Sequence, residues 1–495
     1  MGNDLDGFKK VKILDAPCGA GKTSYAIQYM NEEIDENTKV FYVTPYLDEV
    51  NRIKLSCPKM DFKDPPKKFE VVDDFKSQKS KSAGLLELVL RGENICTTHS
   101  LLGKVSERVI EALRAQHYIL ILDEVFTVVE ELAQKTTSGT IEDKREEKFR
   151  TWEIIEHLKA DGVVEKMEDA TGLLTWNDER ASETRADIRA FQEISSLIKR
   201  ELLYQINDKI IFWTFPIELF RDIFVESFIL TFQFDAQLQK SYYDFFGLQY
   251  EYYHPVLDKN TGKYNLVKTE NRDYEIEWIK KIRERIVINE DEKLNRIGDY
   301  WYDINGNLRD YNLSKSWYEN NADGKSNIIT NSLRKSLDNF FNNQAHDKRS
   351  SKRMWTTFKN FRKYFRGSRA GERNFLSIGT RATNMYGHKT VLAYLINRFH
   401  NPDILQFFSA RDIRVPVDEY ALSDIIQWMF RSNLSIERDQ EIDVFREWKI
   451  EDNGDKVAVT ERIKVEPETV EIYIPSYRMR KILKDYFWFD KQGEN

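Results

Sequence analysis

The stretch Val11-Lys-Ile-Leu-Asp-Ala-Pro-Cys-Gly-Ala-Gly-Lys-Thr23 decides the fold class that the sequence predicts. It opens with a short apolar run typical of a β-strand, and a helical pattern follows from Thr23 to Met30. From Ala16 it matches the phosphate-binding pattern GxxxxGK followed by Ser or Thr, except that Ala16 replaces the first glycine. A strand, a glycine-rich loop and a helix in this order predict a nucleotide site.

Residues 16–23, called here the phosphate loop, carry the predicted binding chemistry. Gly19, Ala20 and Gly21 let the backbone curl so that successive N–H groups converge on phosphate oxygens. Lys22 is expected to reach the β- and γ-phosphates, and Thr23 to hold Mg²⁺. ATP and Mg²⁺ are therefore the expected cofactors. An ordinary glycine-rich turn is the alternative, and the Lys-Thr pair in this context argues against it.

A second acidic element, Asp123-Glu124, follows the apolar run Tyr118 to Leu122. Phosphoryl transfer needs a carboxylate near Mg²⁺ and a second group that orients the attacking water. We assign the metal to Asp123 and the water to Glu124. Such a pair of acidic residues usually lies in a solvated turn, but a phosphate loop upstream favours a catalytic role for the two carboxylates.

Further apolar runs alternate with amphipathic stretches and predict an α/β fold with a parallel sheet covered on both faces. The predicted domains are 1–238, with a charged and helical insertion at 132–208, and 239–495. An inserted hairpin with a turn at Asn453-Gly454 and a basic helix after Ser476 are also expected. The predicted strands besides the first are Lys39–Val43, Ile95–Thr97, Tyr118–Leu122, Lys209–Trp213, Phe228–Phe232, Phe375–Ile378, Thr390–Ile396, Ile404–Phe408, Ile442–Phe445 and Val470–Ile474.

Composition excludes several classes of protein. The 495 residues include three cysteines without CxxC spacing, which argues against a disulfide framework and a cysteine zinc site. No apolar run is long enough to span a bilayer and the N-terminus has no secretory pattern, so a cytoplasmic protein without a membrane partner is expected. The net charge of −7 by itself argues mildly against nucleic acid as a partner.

The stretch 334–373 reverses that charge locally, with 12 Lys and Arg against 3 Asp and Glu. Trp355 begins a series of aromatics at helical spacing, and Arg362 and Lys363 lie between them. Aromatics that stack bases beside cations that hold phosphates are typical of a single-strand groove, so these three residues are candidate nucleic-acid contacts. The alternative is a stripe that faces the core, with a solvated basic face. We favour a combination in which the aromatics face inward and the basic face contacts nucleic acid.

Taken together, the phosphate loop and Asp123-Glu124 resemble those of superfamily-two helicases of the DEAD/DEAH-box type, most closely the phage- and mobile-element-encoded bacterial members. The resemblance implies two RecA-like P-loop domains, with ATP and Mg²⁺ in the cleft between them and nucleic acid across both. Further segments match the family's motifs in order: Val43–Arg52 (motif Ia), Cys96–Leu101, Leu230–Phe232 (motif III), Thr380–Asn384 (motif V), Gln427–Arg431 (motif VI) and the terminal Tyr473–Arg480.

The resemblance also implies roles for single residues. Thr44 and Thr98 would contact the nucleic-acid backbone, although both threonines could instead cap the helices that follow their strands. Arg381 would contact the nucleotide or the nucleic-acid strand, with pairing to a local carboxylate as the alternative. Gln427 and Arg431 would contact the nucleotide, with Arg431 as a finger on the γ-phosphate. In motif VI, Phe430 replaces the glycine and Leu434 the second arginine, for which Arg438 is the candidate substitute. No aromatic-Gln motif for adenine precedes the phosphate loop.

The function expected from this resemblance is an ATP-dependent helicase or translocase in phage or mobile-element replication or recombination. Single-stranded or forked DNA is the favoured partner, together with replication or recombination proteins in a bacterial or phage-infected cell, and RNA stays open. The alternatives are a remodeller or defence-system translocase that separates no strands, a small-molecule kinase, and a scaffold without ATPase activity. The intact Lys22, Thr23, Asp123 and Glu124 argue against the scaffold.

Overall fold

The computed structural model describes residues 10–35, 37–65, 81–134, 143–168, 171–184, 191–206, 209–322, 328–379, 385–450 and 456–491. The chain divides into two compact units. Unit 1 comprises Met1–Asp15, Gly21–Lys268 and His400–Pro416, and unit 2 comprises Ala16–Ala20, Thr269–Phe399 and Val417–Asn495. None of the helices in the described ranges combines the length and the hydrophobicity needed to cross a membrane.

The strands of the two units are numbered in chain order. They are β1 (Val11–Asp15), β2 (Lys39–Thr44), β3 (Ile95–Thr98), β4 (Tyr118–Asp123), β5 (Val129–Gln134), β6 (Val164–Lys166), β7 (Leu174–Trp176), β8 (Leu203–Ile206), β9 (Ile210–Thr214), β10 (Glu226–Thr231), β11 (Tyr250–Leu257), β12 (Tyr264–Lys268), β13 (Ile286–Ile288), β14 (Trp301–Tyr302), β15 (Leu308–Arg309), β16 (Arg353–Thr356), β17 (Val391–Tyr394), β18 (Gln440–Ile450), β19 (Lys456–Val465) and β20 (Val470–Tyr473).

The α-helices follow the same numbering. They are α1 (Lys22–Glu32), α2 (Leu47–Ser56), α3 (Lys81–Leu90), α4 (His99–Leu102), α5 (Glu107–Arg114), α6 (Asp143–Ala160), α7 (Asp178–Glu183), α8 (Gln192–Lys199), α9 (Glu218–Arg221), α10 (Leu238–Phe245), α11 (Ile276–Arg283), α12 (Glu292–Asn295), α13 (Lys315–Asn321), α14 (Arg334–Asn339), α15 (Pro402–Ser409), α16 (Val417–Met429) and α17 (Tyr477–Phe487).

Unit 1 is built on a seven-stranded sheet in the order β12-β11-β1-β10-β4-β2-β3. The neighbours pair in parallel, apart from the antiparallel pair of β11 and β12 at one edge. Asp15 pairs with Thr231, and Leu230 pairs with Asp123, so the carboxyl ends of β1, β10 and β4 lie side by side. The side of the sheet at which these strands end is called here its carboxyl edge. The predicted parallel α/β architecture is confirmed.

Helices cover both faces of this sheet, which explains its nearly continuous apolar strands. Side chains alternate along a strand, so Phe41 and Val43 enter one buried cluster and Val40 and Tyr42 enter the other. The first cluster includes side chains of α3 and α5, and the second includes side chains of α1 and α2. Both faces of the sheet are thereby buried, and its carboxyl edge is left to carry the polar residues.

The predicted boundary between residues 238 and 239 differs from the division observed. Because β11 pairs with β1 and β12 pairs with β11, the chain up to Lys268 remains part of unit 1. The expected insertion at 132–208 contains α6 to α8 and β6 to β8. Strand β8 belongs to a separate antiparallel sheet in the order β5-β9-β8, whose other two strands flank the insertion. A cluster of its own, including Trp152, Ile155 and Leu158, stabilises this element.

Unit 2 contains a parallel sheet in the order β13-β20-β17-β16. The antiparallel pair of β18 with β19 corresponds to the hairpin expected from the sequence, although its turn at Asn453-Gly454 lies outside the described residues. The helix expected after Ser476 is α17. Ser476 caps it by accepting a hydrogen bond from the Met479 backbone N–H.

Two predicted strands are wrong. Ile404–Phe408 lies within α15, because Asn401 caps its first turn by accepting from the Asp403 N–H and Pro402 occupies the first helical position. Phe375–Ile378 makes a single bridge, from Phe375 to Trp355, and forms no strand in the structure. Both runs are apolar because they are buried against neighbouring elements, and burial alone does not distinguish a strand from a helix.

Candidate nucleotide-binding site

The phosphate loop leaves β1 at the carboxyl edge of the unit 1 sheet and leads into α1. Gly19 and Gly21 have φ of +84° and +89°, a left-handed conformation that side chains disfavour. Gly21 is the N-cap of α1 and has no side chain with which to cap that helix end. The N–H groups of a first helical turn have no partner within the helix, so this end is suited to an anion. Lys22 and Thr23 open the same turn.

Asp123 and Glu124 stand at the same edge, two strands away from β1. Asp123 ends β4, and Glu124 follows with φ of +66°, a conformation that is uncommon for a residue other than glycine. The backbone N–H of Glu124 donates to the carbonyl oxygen of Leu230 at 2.8 Å, which fixes this turn against β10. Within the described residues, the Oε2 atom of Glu124 is buried and lacks a hydrogen-bond partner.

The carboxyl group of Asp123 is held where its charged form is disfavoured. Burial, and then the neighbouring charge of Glu124, raise the pKa of Asp123 from 3.8 to about 7, against a lowering effect of the Tyr42 hydroxyl. That hydroxyl donates to Oδ2 of Asp123 at 3.1 Å. A pKa shift of this kind at a sheet edge is typical of functional carboxylates.

Asp15, the last residue of β1, is a buried carboxylate that the sequence analysis did not single out. It accepts the backbone N–H of Gln233 at 2.7 Å and that of Phe234 at 2.9 Å. These bonds tie the start of the phosphate loop to the turn after β10. In the same turn region, the buried Oγ1 of Thr231 has no partner among the described residues. An aspartate that ends an apolar strand just before the loop was the available signal.

These residues fit the cofactors that the sequence predicts. Among the residues that the structure describes, no three His, Cys, Asp or Glu side chains stand close enough to hold a metal ion by themselves. Mg²⁺ that binds with a nucleotide needs only one or two carboxylates, because phosphates and water supply its remaining ligands. Thr23 and Asp123 would hold such an ion, and the unpartnered Glu124 oxygen is suited to a water molecule.

Thr44 and Thr98, the predicted backbone contacts, end the adjacent strands β2 and β3 and pair with each other in register. Thr98 lines a cavity of about 710 Å³ together with Pro45, Lys81 and Lys104. Neither threonine hydroxyl caps a helix: α2 has Tyr46 as its N-cap, and Thr98 is the N-cap of α4 without a side-chain bond. The hydroxyl of Thr44 is buried and, in the described ranges, unpartnered, so a backbone phosphate cannot reach it in this structure, contrary to the predicted contact.

The motif VI residues lie at the end of α16 in unit 2. Gln427 donates from Nε2 to Oγ of Ser423 at 3.2 Å, one helical turn earlier. The Nε atom of Arg431 is buried and has no partner within the described part of the chain, and Arg438 is exposed. Phe430 stacks on Trp278, with ring centroids 5.1 Å apart, which accounts for an aromatic where the motif has glycine. Arg381 lies outside the described residues.

The structure corrects the predicted role of Trp355. Its side chain is 1% exposed, lies in β16 rather than on a helix, and donates from Nε1 to the carbonyl oxygen of Gly371 at 2.8 Å. A base cannot stack on a ring that the core encloses. Arg362 packs over Phe375 at 4.6 Å and donates to the Glu372 carbonyl, whereas Lys363 is exposed. Trp355 is therefore a core residue, in agreement with the alternative that the aromatic stripe faces the core.

A known protein is similar in sequence to almost the whole of this chain. The SPbeta prophage-derived uncharacterized protein YonV of Bacillus subtilis (strain 168) is 32% identical over 486 residues, which is 98% of this chain and 100% of that protein. The chain belongs to the YonV family. The expected similarity to phage-encoded proteins is confirmed to this extent, since the YonV relative is prophage-derived.

A family model described as the YonV C-terminal Rossmann-like domain matches residues 280–446. The matched range contains β13, β16 and β17, three of the four parallel strands of unit 2, and β20 completes the sheet beyond it. The YonV comparison thus supports an α/β C-terminal domain with a parallel sheet, which is a coarser description than the RecA-like domain expected from the helicase resemblance.

Proposed function

We propose that this protein is an ATP-driven motor on nucleic acid, a helicase or translocase with two RecA-like domains. The observation that carries the proposal is the arrangement at one edge of the unit 1 sheet. There the phosphate loop, the half-buried Asp123 and the Glu124 oxygen, which has no partner among the described residues, follow strands that are joined through β10. Phosphate binding and a positioned carboxylate are the two parts that hydrolysis of a nucleoside triphosphate requires.

Each of these residues has a distinct part in the proposed hydrolysis. Lys22 and the N–H groups at the start of α1 bind the phosphates, and Thr23 with Asp123 hold Mg²⁺, which neutralises charge on the phosphates. Glu124 accepts a hydrogen bond from the attacking water and orients it toward the γ-phosphate. The superfamily-two resemblance assigns the stabilisation of transition-state charge to Arg431, whose buried Nε lacks a partner among the described residues.

The nucleic-acid part of the proposal rests on the cavity beside β2 and β3. Thr98, Lys81 and Lys104 line it, so a hydroxyl and two cations lie near a single open surface. Hydroxyl and ammonium groups are typical ligands of backbone phosphates, and they bind without regard to base sequence. The prophage origin of the YonV relative supports DNA replication or recombination as the setting, and DNA as the polymer.

One comparison of ATPase rates tests the proposal. Purified protein is assayed with ATP and Mg²⁺ alone and with single-stranded DNA, forked DNA, duplex DNA or RNA, with Lys22→Ala as the control for contaminating ATPase. We expect DNA to stimulate the wild-type rate and the variant to show none. A wild-type rate that no polynucleotide changes would contradict the motor, and phosphate transfer to a small molecule would identify a kinase.

A strand-displacement assay on the forked DNA then separates the two forms of the motor. Release of the labelled strand that needs ATP hydrolysis identifies a helicase. Stimulated hydrolysis without release identifies a translocase or remodeller, the alternative that the sequence left open.

A further inference from the structure

We propose that Tyr264, on the edge strand β12, forms the wall of the nucleotide site against which the base of the bound nucleotide stacks. This inference rests on the proposed function, because it adds a residue to the site that the phosphate loop forms. The sequence offers no aromatic-Gln motif before the loop. Tyr264 follows the loop by more than 200 residues and reaches it through the sheet.

The ring of Tyr264 lies directly against the phosphate loop. A Cβ atom placed on Gly21 would lie 2.2 Å from Cε1, 2.5 Å from Cζ and 2.7 Å from the hydroxyl oxygen of Tyr264. Only glycine leaves room for this approach, so its position in the loop serves the aromatic neighbour as well as the backbone conformation. The ring therefore lies beside the first turn of α1, where the phosphates are proposed to bind.

The backbone of Tyr264 is fixed to α1 by a matched pair of hydrogen bonds. Gln28 donates from Nε2 to the Tyr264 carbonyl at 2.9 Å and accepts the Tyr264 N–H on Oε1 at 2.8 Å. On the other side, Tyr264 pairs with Leu257 of β11. The strand that carries the ring is thus held by the helix that follows the phosphate loop, so the backbone of Tyr264 is positioned before any ligand binds.

The face of α1 that meets β12 is also the face that leads away from the phosphates. Residues three and four apart share a helix face, so Gly21, Ser24 and Gln28 lie along one side. Ser24 is exposed, and Tyr264 is partly exposed beside it. A nucleotide whose phosphates occupy the start of α1 and whose sugar passes Ser24 would bring its base to this ring.

The chemistry of the ring suits a base. The inner side of Tyr264 packs against the buried cluster that contains Tyr25 and Met30, and its hydroxyl makes no hydrogen bond within the described part of the chain. Every nucleobase has a π-face, so an anchored ring binds bases by stacking and tolerates different ones. The ligand class that fits is a nucleoside triphosphate, with the phosphates at the loop and the base on Tyr264.

The test compares two ligands that share the phosphates and differ in the base. Binding of ATP and of inorganic tripolyphosphate, each with Mg²⁺, is measured by calorimetry on the full chain of the wild type, Tyr264→Leu and Tyr264→Phe. Leucine preserves an apolar contact with Gly21 but has no ring, and phenylalanine retains the ring. We expect Tyr264→Leu to weaken ATP binding about tenfold, the loss typical of one base–aromatic stack, with tripolyphosphate binding unchanged and Tyr264→Phe close to wild type.

Other outcomes overturn the inference, and they are distinct from a failure of the proposed function. Equal ATP affinity of the wild type and Tyr264→Leu would show that no base stacks on the ring. Equal weakening of ATP and tripolyphosphate would show that Tyr264 only shapes the phosphate loop. If the wild type binds neither ligand, the phosphate loop itself is wrongly assigned and the proposed function fails together with the inference.

Discussion

The hydroxyl of Tyr42 donates a hydrogen bond of 3.1 Å to Oδ2 of Asp123, joining the adjacent strands β2 and β4 at the carboxyl edge of the unit 1 sheet. This bond favours the ionised carboxylate, but burial and the charge of Glu124 outweigh it and raise the pKa of Asp123 to about 7. Ionisation of Asp123 therefore lowers the stability of the free protein. A cation or a ligand bound to the carboxylate would offset this loss.

We predict that Asp123→Asn stabilises the metal-free protein at alkaline pH. The pKa of Asp123 is higher in the folded than in the unfolded chain, so its stabilising effect is full below about pH 4 and is lost as pH rises through about 7. Asparagine does not ionise, so the variant keeps up to about 4 kcal/mol of unfolding free energy that the wild type loses. Urea unfolding in EDTA at a series of pH values measures it, and parallel curves for the two proteins would contradict the prediction.

We predict that Glu124→Gln separates binding from turnover. Glutamine preserves the size of the side chain but cannot orient water as a carboxylate does, so ATP binding should persist while hydrolysis falls about 100-fold or more. Steady-state ATPase rates and ATP titrations measure the two effects. Glu130→Gln, an exposed carboxylate on β5, is the matched control and should behave as wild type. Wild-type turnover in Glu124→Gln would remove Glu124 from the proposed mechanism.

We predict that Thr44→Val leaves both the stability of the fold and the stimulation of the ATPase by DNA unchanged, because the Thr44 side chain is enclosed by the core. The Thr44 hydroxyl is buried without a partner among the described residues, so its removal costs no hydrogen bond in the free protein. Thr214→Val is the matched control, because that buried hydroxyl donates to the Leu202 carbonyl and its loss should cost about 1 kcal/mol. Loss of stimulation by DNA in a folded Thr44→Val variant would restore the backbone contact that the burial of Thr44 argues against.

We predict that Lys104→Glu and Lys363→Glu weaken DNA binding and reduce its salt dependence. Each exposed lysine that contacts a phosphate releases about one counterion, so its loss lowers the slope of log affinity against log salt by about one. Fluorescence anisotropy of labelled single-stranded DNA across a salt series measures the slope. Lys259→Glu, on the exposed turn between β11 and β12, is the control for total charge. A slope that falls equally in the control would reflect total charge alone.

We predict that Trp355→Phe lowers stability and leaves DNA affinity unchanged. Phenylalanine fills most of the buried site but removes the hydrogen bond to the Gly371 carbonyl, which leaves a buried acceptor unpaired and costs about 1–3 kcal/mol. Thermal unfolding and the same anisotropy assay test the two halves. A loss of DNA affinity in a variant that remains folded would restore the stacking role that the structure excludes.

Local sequence patterns predict the parts of this fold in which neighbours along the chain decide the outcome. The phosphate loop and Asp123-Glu124 are short motifs, and β1 to β4 are apolar runs bounded by helices. The motifs and the strands can therefore be identified from the sequence alone. The α/β class follows from that alternation. Asn401 and Pro402 gave an equally local signal for α15, which the apolar run after them obscured.

The remaining features depend on pairing between distant segments. Tyr264 reaches Gly21 only because β12 joins the sheet at its far edge, and Asp15 meets Gln233 only because β10 lies beside β1. Trp355 carries the pattern of an exposed stacking residue, yet it is enclosed because its strand pairs with β17 inside the unit 2 sheet. The spacing of residues within a single segment does not show which distant strands pair with it.

The segment His400–Pro416 has a consequence for how the protein is made. Phe407 on α15 packs against Tyr204 on β8 and Phe212 on β9, both in unit 1, with ring centroids 5.7 and 5.3 Å apart. Unit 1 is therefore incomplete until the ribosome has passed residue 416, by which time much of unit 2 has been synthesised. A fragment ending at Lys268 would expose this aromatic surface and should aggregate, so neither unit can be studied as a simple truncation.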